Sequence, residues 1–444
     1  MPTRSTAWAI AVALIFSQAF TPAGFGSERG NIVNRRSEGA AVEEASPHSE
    51  PTSGTHAASL LRSRHLAFLG ADRWHAAGFR GQGIKVAILD SGFRGYRAFL
   101  GRALPEHVTV HSCRSDGNLE AKDSIHGILC GEVVHALAPD AELLFANWEP
   151  DRPDQFIEAV RWARGQGARV LSCSLIMPSW SDGEGGGPTH AALVELLTSH
   201  GGTADAVCFA SAGNTAQRHW SGLFHDGAAH FHEWEQGRTE NELSPWGNEP
   251  VSVELCWQAA GDYDLIVDDR TAHEEVARSL AQTERERVCA VARFQPRPSH
   301  DYDVRVRLAG GTPGMFHLVA LGGYLQSTTS RGSIPFPADG PEVIAVGAVD
   351  AYGHRAPYSS CGPNSPWPKP DLVALVPFPT ICRAQSFSGT SAASPQAAAT
   401  AALWWSKYPN WAATQIRHAL QASAHDLGPP GHDYETGYGL ISLP

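Results

Sequence analysis

Phe387-Ser388-Gly389-Thr390-Ser391-Ala392-Ala393-Ser394-Pro395 runs directly into Gln396–Trp405, a stretch dominated by Ala. The Ala-rich segment is a strong helix former, so Ser391 is expected in a first helical turn. Gly389 allows a sharp backbone turn and a close approach of another segment. Amides at a helix start, together with the helix dipole, favour negative charge beside Ser391. An acyl-transfer transition state needs that stabilisation. A serine in this place is commonly only an N-cap, so its reading depends on what else the chain supplies.

Three earlier segments supply partners. Gly83-Ile84-Lys85-Val86-Ala87-Ile88-Leu89-Asp90-Ser91-Gly92 reads as a buried parallel strand ending in a carboxylate and a turn. A carboxylate at that end points into the crevice where open α/β sheets bind ligands. Asp123-Ser124-Ile125-His126-Gly127 places His126 at the start of a second helix, with Asp123 or Ser124 as its cap. Val207-Cys208-Phe209-Ala210-Ser211-Ala212-Gly213-Asn214 is another buried strand, followed by an amide able to donate to an oxyanion. Singly, the Asp reads as a turn cap and the His as a surface residue.

Together these motifs resemble the subtilisin-like serine peptidases (subtilases, peptidase family S8). Asp90-Ser91-Gly92, His126-Gly127, Ser211-Ala212-Gly213-Asn214 and Gly389-Thr390-Ser391 with Ala393 and Pro395 carry the resemblance. The order Asp, His, Ser is the subtilisin order. Val170–Leu175 resembles the family's substrate strand, Val343–Asp350 a core strand, and Gly437–Ile441 the closing strand.

The resemblance implies an endopeptidase. Ser391 is the nucleophile, His126 its general base, and Asp90 the group that orients the imidazole. Asn214 and the Ser391 amide form the oxyanion hole. Ser174, Leu175, Ile176, Gly213 and Gly389 bind substrate, which is protein or peptide. No cofactor is required for the chemistry, and a structural Ca²⁺ is left open. The alternative of another class is an inactive or latent binding protein whose inserted β-domain mediates recognition. Several positions depart from the family pattern. Phe93-Arg94-Gly95-Tyr96 follows the Asp motif, and Cys130, Glu132 and His135 occupy the His helix. Ile176-Met177 stands where glycines commonly leave room for the side chain before the scissile bond.

The chain has 444 residues, enough for two or more domains. Its net charge of -12 argues against nucleic acid or an anionic membrane as partner. Arg4, the apolar run Ala7–Phe16 and small residues up to Ala23 make 1–23 a signal peptide. The run is too short to span a bilayer well, and a secreted or periplasmic location follows. Export permits disulfides. Among the eight cysteines, Cys256–Cys289 and Cys361–Cys382 are plausible pairs, with Cys173 and Cys208 as core thiols.

Residues 24–64 are polar and read as a disordered linker or short pro-segment. Strands and helices alternate over 65–215 and resume over 341–444, the pattern of an α/β doubly wound parallel sheet. The interval 216–340 has short alternating strands between Gly and Pro turns. It reads as an inserted antiparallel β-sandwich or jelly roll. His219, His225, His230 and His232 suggest either a metal site or a His-rich strand edge, and no metal is assigned. Asp182 and Glu184, after the substrate strand, are open to three readings: preference for basic substrates, Ca²⁺ binding, or a solvated loop.

Overall fold

The computed structural model describes residues 53–198, 205–258, 261–280, 289–364 and 367–444. The chain opens with helices α1 (Ser53–Leu69) and α2 (Ala71–Ala76). There follow β1 (Lys85–Leu89), β2 (Val108–Ser112), α3 (His126–Leu137), β3 (Glu142–Asn147), α4 (Pro153–Gly165), β4 (Val170–Cys173), α5 (Pro188–Leu197) and β5 (Val207–Ser211). A run of strands comes next: β6 (His219–Leu223), β7 (Asn241–Pro245), β8 (Val251–Trp257), β9 (Gly261–Asp269), β10 (Glu274–Ser279), β11 (Cys289–Phe294), β12 (Tyr302–Gly311), β13 (Met315–Leu321) and β14 (Gly323–Leu325). β15 (Val343–Val349), β16 (Leu372–Leu375), α6 (Thr390–Lys407) and α7 (Ala413–Ser423) complete it.

Seven strands form a sheet in the order β16-β15-β5-β4-β1-β3-β2, and every pairing in it is parallel. Such a sheet must be covered on both faces, and β1 shows how. Val86 and Ile88 enter the core formed with α3 and α6. Ala87 and Leu89 enter the opposite core, with α4 and α5. Strand order reverses around β1, which pairs with β3 on one side and β4 on the other. The crevice at its carboxyl end is where this architecture places ligands. Helix α6 is buried from Thr390 to Trp405. A helix enclosed on all sides must be slim, which accounts for its run of alanines.

The remaining strands form two antiparallel sheets, β10-β9-β12-β7-β14 and β11-β8-β13-β6. They enclose one apolar core, with Trp257, Tyr263, Tyr302 and Phe316 among its largest members. Two antiparallel sheets on one core, between β5 and β15, are a sandwich arrangement. Strand β8 is buried along its whole length, although an antiparallel strand with one wet face would alternate. Val251, Val253, Leu255 and Trp257 fill the sandwich core. The opposite face of the sheet rests on the segment that follows the parallel sheet's β4. Glu254 accepts the Ser179 amide at 2.9 Å, and Cys256 Sγ donates to the Pro178 carbonyl at 3.1 Å. Val319 and Leu321 of β13 pack on Ile176.

Three expectations require correction or fall outside the structure. Residues 53–64 are helical, not a disordered linker. Their local composition is polar, but α1 finds partners far along the chain. Arg62 bonds Glu132 and the Pro379 carbonyl, and His65 Nε2 meets Gln396 Oε1 at 2.7 Å. The signal peptide reading and residues 24–52 lie outside the described residues. Cys256 and Cys361 are thiols, so the two suggested disulfides are not formed. Cys361 Sγ donates to the Ser330 carbonyl at 3.2 Å. No helix among the described residues is long and apolar enough to cross a membrane.

Two buried histidines make the sandwich and its seat acid-sensitive. His219 sits between the Thr329 carbonyl and His317 Nδ1, at 3.0 and 3.1 Å. His232 lies among Trp220, Phe224, Trp234 and Phe316. Burial is the main cause that lowers each to about 3, with His317 and His225 adding to it. An unfolded chain titrates histidine near 6.5. Between those values the unfolded state binds protons that the folded state refuses. Their contribution is therefore complete above about pH 6.5 and is lost as pH falls toward 3. Each group adds a slope approaching ~1.4 kcal/mol per pH unit in that window. The melting temperature is expected to fall steeply between pH 6.5 and 4.5, and less steeply in His232→Phe. A flat wild-type profile would contradict this account.

Candidate active site

The carboxyl ends of three adjacent strands, β1, β4 and β5, carry Asp90, Ser174 and, three residues beyond β5, Asn214. Asp90 is fully buried. The Ser91 and Gly92 amides donate to its Oδ1 at 2.8 and 2.9 Å. These two bonds fix the carboxylate so that Oδ2 faces His126 Nδ1 at 2.7 Å. His126 begins α3, whose first turn is held by Ser124 Oγ on the His126 amide at 3.1 Å. The Gly127 and Ile128 amides close on the Gly92 carbonyl at 2.7 and 3.2 Å. Gly127 permits this approach, since a Cβ there would lie 2.5 Å from the Phe93 ring and 2.9 Å from Asp90 Cβ. The aromatic that departs from the family pattern therefore packs on the glycine of the His-Gly motif. Phe387 meets the His126 ring edge-on, at 5.5 Å between centroids.

Ser391 lies in the first turn of α6 and is 2% exposed. Its Oγ donates to the Ser174 carbonyl, and Ser174 Oγ donates back to the Ser391 carbonyl, both at 3.1 Å. Asn214 is oriented by Thr390, whose amide and hydroxyl both donate to Asn214 Oδ1 at 3.0 Å. Gly213, at φ +97, donates its amide to Thr390 Oγ1 at 3.2 Å. With Oδ1 occupied, the Asn214 NH₂ turns toward Gly389, where a Cβ would stand 3.0 Å from Nδ2. Gly389 itself has φ +84, which side chains rarely adopt. The structure thus brings Asp90, His126, Ser391, Asn214, Ser174, Gly213 and Gly389 into one crevice. Leu175 and Ile176 line an adjoining cavity, although Ile176 also packs against the sandwich.

The sequence profile of the subtilase family, peptidase S8, matches residues 81–240 and 282–439. The chain belongs to the subtilase family. Subtilisin DY of Bacillus licheniformis is 39% identical over 126 residues, covering 28% of this chain and 44% of that protein. Subtilisin E of Bacillus subtilis (strain 168) is 34% identical over 128 residues, covering 28% of this chain and 32% of that protein. The chain therefore aligns with less than half the length of these curated relatives. Among solved structures, the CspB protease of Clostridium perfringens superposes with a TM-score of 0.59 at 15% identity. It covers 83% of this chain and 95% of that one, a likeness of fold.

Beside these motifs the subtilase crevice holds groups whose positions the sequence left unread. Cys130, one helical turn after His126, places Sγ 4.0 Å from Asp90 Oδ2 and 3.8 Å from the Ser391 carbonyl. The i, i+4 spacing was the available signal. Burial is the main cause that holds this thiol well above its usual range, so it is protonated. Lys122 donates to Ser91 Oγ at 3.3 Å. Burial lowers it to about 8 against the pull of Asp90. Asp182 and Glu184, which follow the substrate strand, are engaged within their own turn and by β13. Asp182 Oδ1 accepts the Glu184 and Gly186 amides at 2.8 and 2.9 Å, and Glu184 pairs with His317 at 2.7 Å. Asp90, His126 and Cys130 are the one group of three potential metal donors among the described residues. The His219–His232 cluster does not form another.

Proposed function

We propose that this subtilase is an exported serine endopeptidase that cleaves protein or peptide substrates through an acyl-enzyme. The observation that carries the reading is the 2.7 Å Asp90 Oδ2–His126 Nδ1 contact in the crevice that also holds Ser391. That contact leaves His126 Nε2 as the nitrogen that exchanges a proton with Ser391. Ser391 Oγ attacks the substrate carbonyl carbon as its proton passes to Nε2. Negative charge develops on the carbonyl oxygen. The Asn214 amide and the Ser391 N–H, which as a first-turn amide has no intrahelical acceptor, receive it. The tetrahedral species collapses, and the amine leaves with the proton from His126. Water then repeats the sequence on the ester and frees Ser391. Asp90 stays ionised throughout and stabilises the imidazolium.

The chemistry draws on no cofactor. Residues 1–23 serve as the export signal. Residues 65–215 and 341–444 form the catalytic domain around the inserted sandwich of 216–340. The test is a fluorophosphonate probe on the mature secreted protein. One adduct is expected, located by mass spectrometry on the peptide bearing Ser391, together with loss of casein hydrolysis. A folded protein that takes no label and cleaves no casein would sink the proposal.

A further inference from the structure

Beyond the ends of β1 and β4 the structure contains a cavity of about 70 Å³ bordered by Ser91, Trp148, Asp151, Leu175, Trp180 and Glu254. Ser91 adjoins Asp90, and Leu175 adjoins Ser174, whose carbonyl receives the Ser391 hydroxyl. A side chain entering it therefore belongs to a residue close to the bond being cut. Its volume is far below the several hundred Å³ of a small-molecule pocket, so it accepts the end of one side chain.

Glu254 reaches this cavity from the sandwich. It is 3% exposed. Its oxygens accept from neutral donors of Ser179 and Ser252, among them the Ser179 amide at 2.9 Å and Ser252 Oγ at 3.1 Å. The nearby cation, Arg293, is committed elsewhere: Nε to Ser252 Oγ at 3.3 Å and Nη2 to Asp151 Oδ1 at 2.5 Å. Among the described residues no basic side chain stands within ion-pair distance, 4.0 Å, of Glu254. Burial is the main cause that pushes its carboxyl up, against the pull of Arg293 and its hydrogen bonds. A buried carboxylate without a cation gains most from receiving one. The indoles of Trp148 and Trp180 border the cavity and suit an alkyl stem and a cation, and half-exposed Asp151, the partner of Arg293, stands at its rim.

We propose that this cavity is a substrate subsite for a basic side chain, arginine ahead of lysine, with Glu254 of the inserted sandwich as the specificity-determining residue. Arginine is favoured because its planar fork matches a carboxylate and stacks on indole. The proposal rests on the endopeptidase reading, and it makes the sandwich part of the substrate site.

The experiment uses fluorogenic peptides that carry Arg, Lys, citrulline or Leu at one position at a time around a fixed scissile bond. At one position kcat/KM is expected to be about ten-fold or more higher for Arg than for isosteric, neutral citrulline. Glu254→Gln, which keeps an acceptor for the Ser179 amide, is expected to bring that ratio below about three-fold. Asp151→Asn, at the exposed rim, is expected to lower the ratio partway and provides a second variant should Glu254→Gln fold poorly. Equal cleavage of Arg and citrulline peptides at every position overturns the subsite and leaves the peptidase reading intact. If no peptide is cut and no phosphonate adduct forms, the peptidase reading fails instead. Fluorescence anisotropy with the same peptides then decides the subsite: Arg-selective binding lost in Glu254→Gln sustains it, and unselective binding overturns it.

Discussion

Ser391→Ala is expected to lower kcat on a peptide substrate by about 10⁶-fold, the scale measured when subtilisin loses its nucleophile. The folded state should barely register the change. The hydroxyl makes one hydrogen bond, to the Ser174 carbonyl, and a lost neutral bond costs about 1 kcal/mol. In a chain of this length that moves the melting temperature by no more than about 2–4 °C. His126→Ala should cost a similar factor. The double variant should be scarcely worse than either single one, because the two act as a unit. Single-turnover kinetics on material free of host proteases would measure this. Residual activity above roughly 1% that survives purification to homogeneity would place the nucleophile elsewhere.

Glu132→Ala is expected to destabilise the fold by about 3–5 kcal/mol, the usual cost of breaking a buried ion pair from one side. Glu132 is fully buried on α3. It binds Arg62 of α1 and also accepts the Ile381 amide at 2.5 Å and the Cys382 amide at 3.1 Å. Alanine leaves a guanidinium whose side chain is only 15% exposed and two amides without their acceptor. Glu132→Gln keeps the acceptor oxygen and should cost less. Because His126 begins the same helix, activity should fall at a lower temperature than in the wild type. Urea unfolding of the three proteins would test the claim, and a loss under about 1 kcal/mol for Glu132→Ala would show that α1 is held by other contacts.

Local signals made much of the parallel sheet readable. Pro153 and Gly165 punctuate α4 where the structure begins and ends it. The apolar run before Asp90 could be seen as a strand because buried parallel strands need no alternation. The crevice was legible because its residues sit at strand ends and helix starts, which short motifs mark. What stayed hidden depends on distant partners. Residues 53–64 read as a polar linker in isolation, and α1 is placed by distant partners, Arg62 meeting Glu132 and Pro379 and His65 meeting Gln396. Glu254 lies in an ordinary strand pattern, and nothing local says that its face is covered by Ser179. Asp182 and Glu184 looked like cleft residues from sequence distance to Leu175. In the structure Asp182 caps its own turn and Glu184 pairs with His317 from the sandwich, partners that sequence distance could not reveal.

The chain leaves the parallel sheet for the sandwich and rejoins it at nearly one point. Thr215 Oγ1 donates to the Ser333 carbonyl at 2.7 Å, and Pro335 lies 3.0 Å from where a Cβ of Gly213 would stand. Two ends that already touch can be bridged by a very short linker with little loop-closure cost. Because the two crossings lie side by side, a single join from 215 to 333 would excise the sandwich strands without separating the ends of the parallel sheet. Such a trimmed protein would uncover Ile176 and Glu184, so it would need new surface residues at those two positions as well as a new loop.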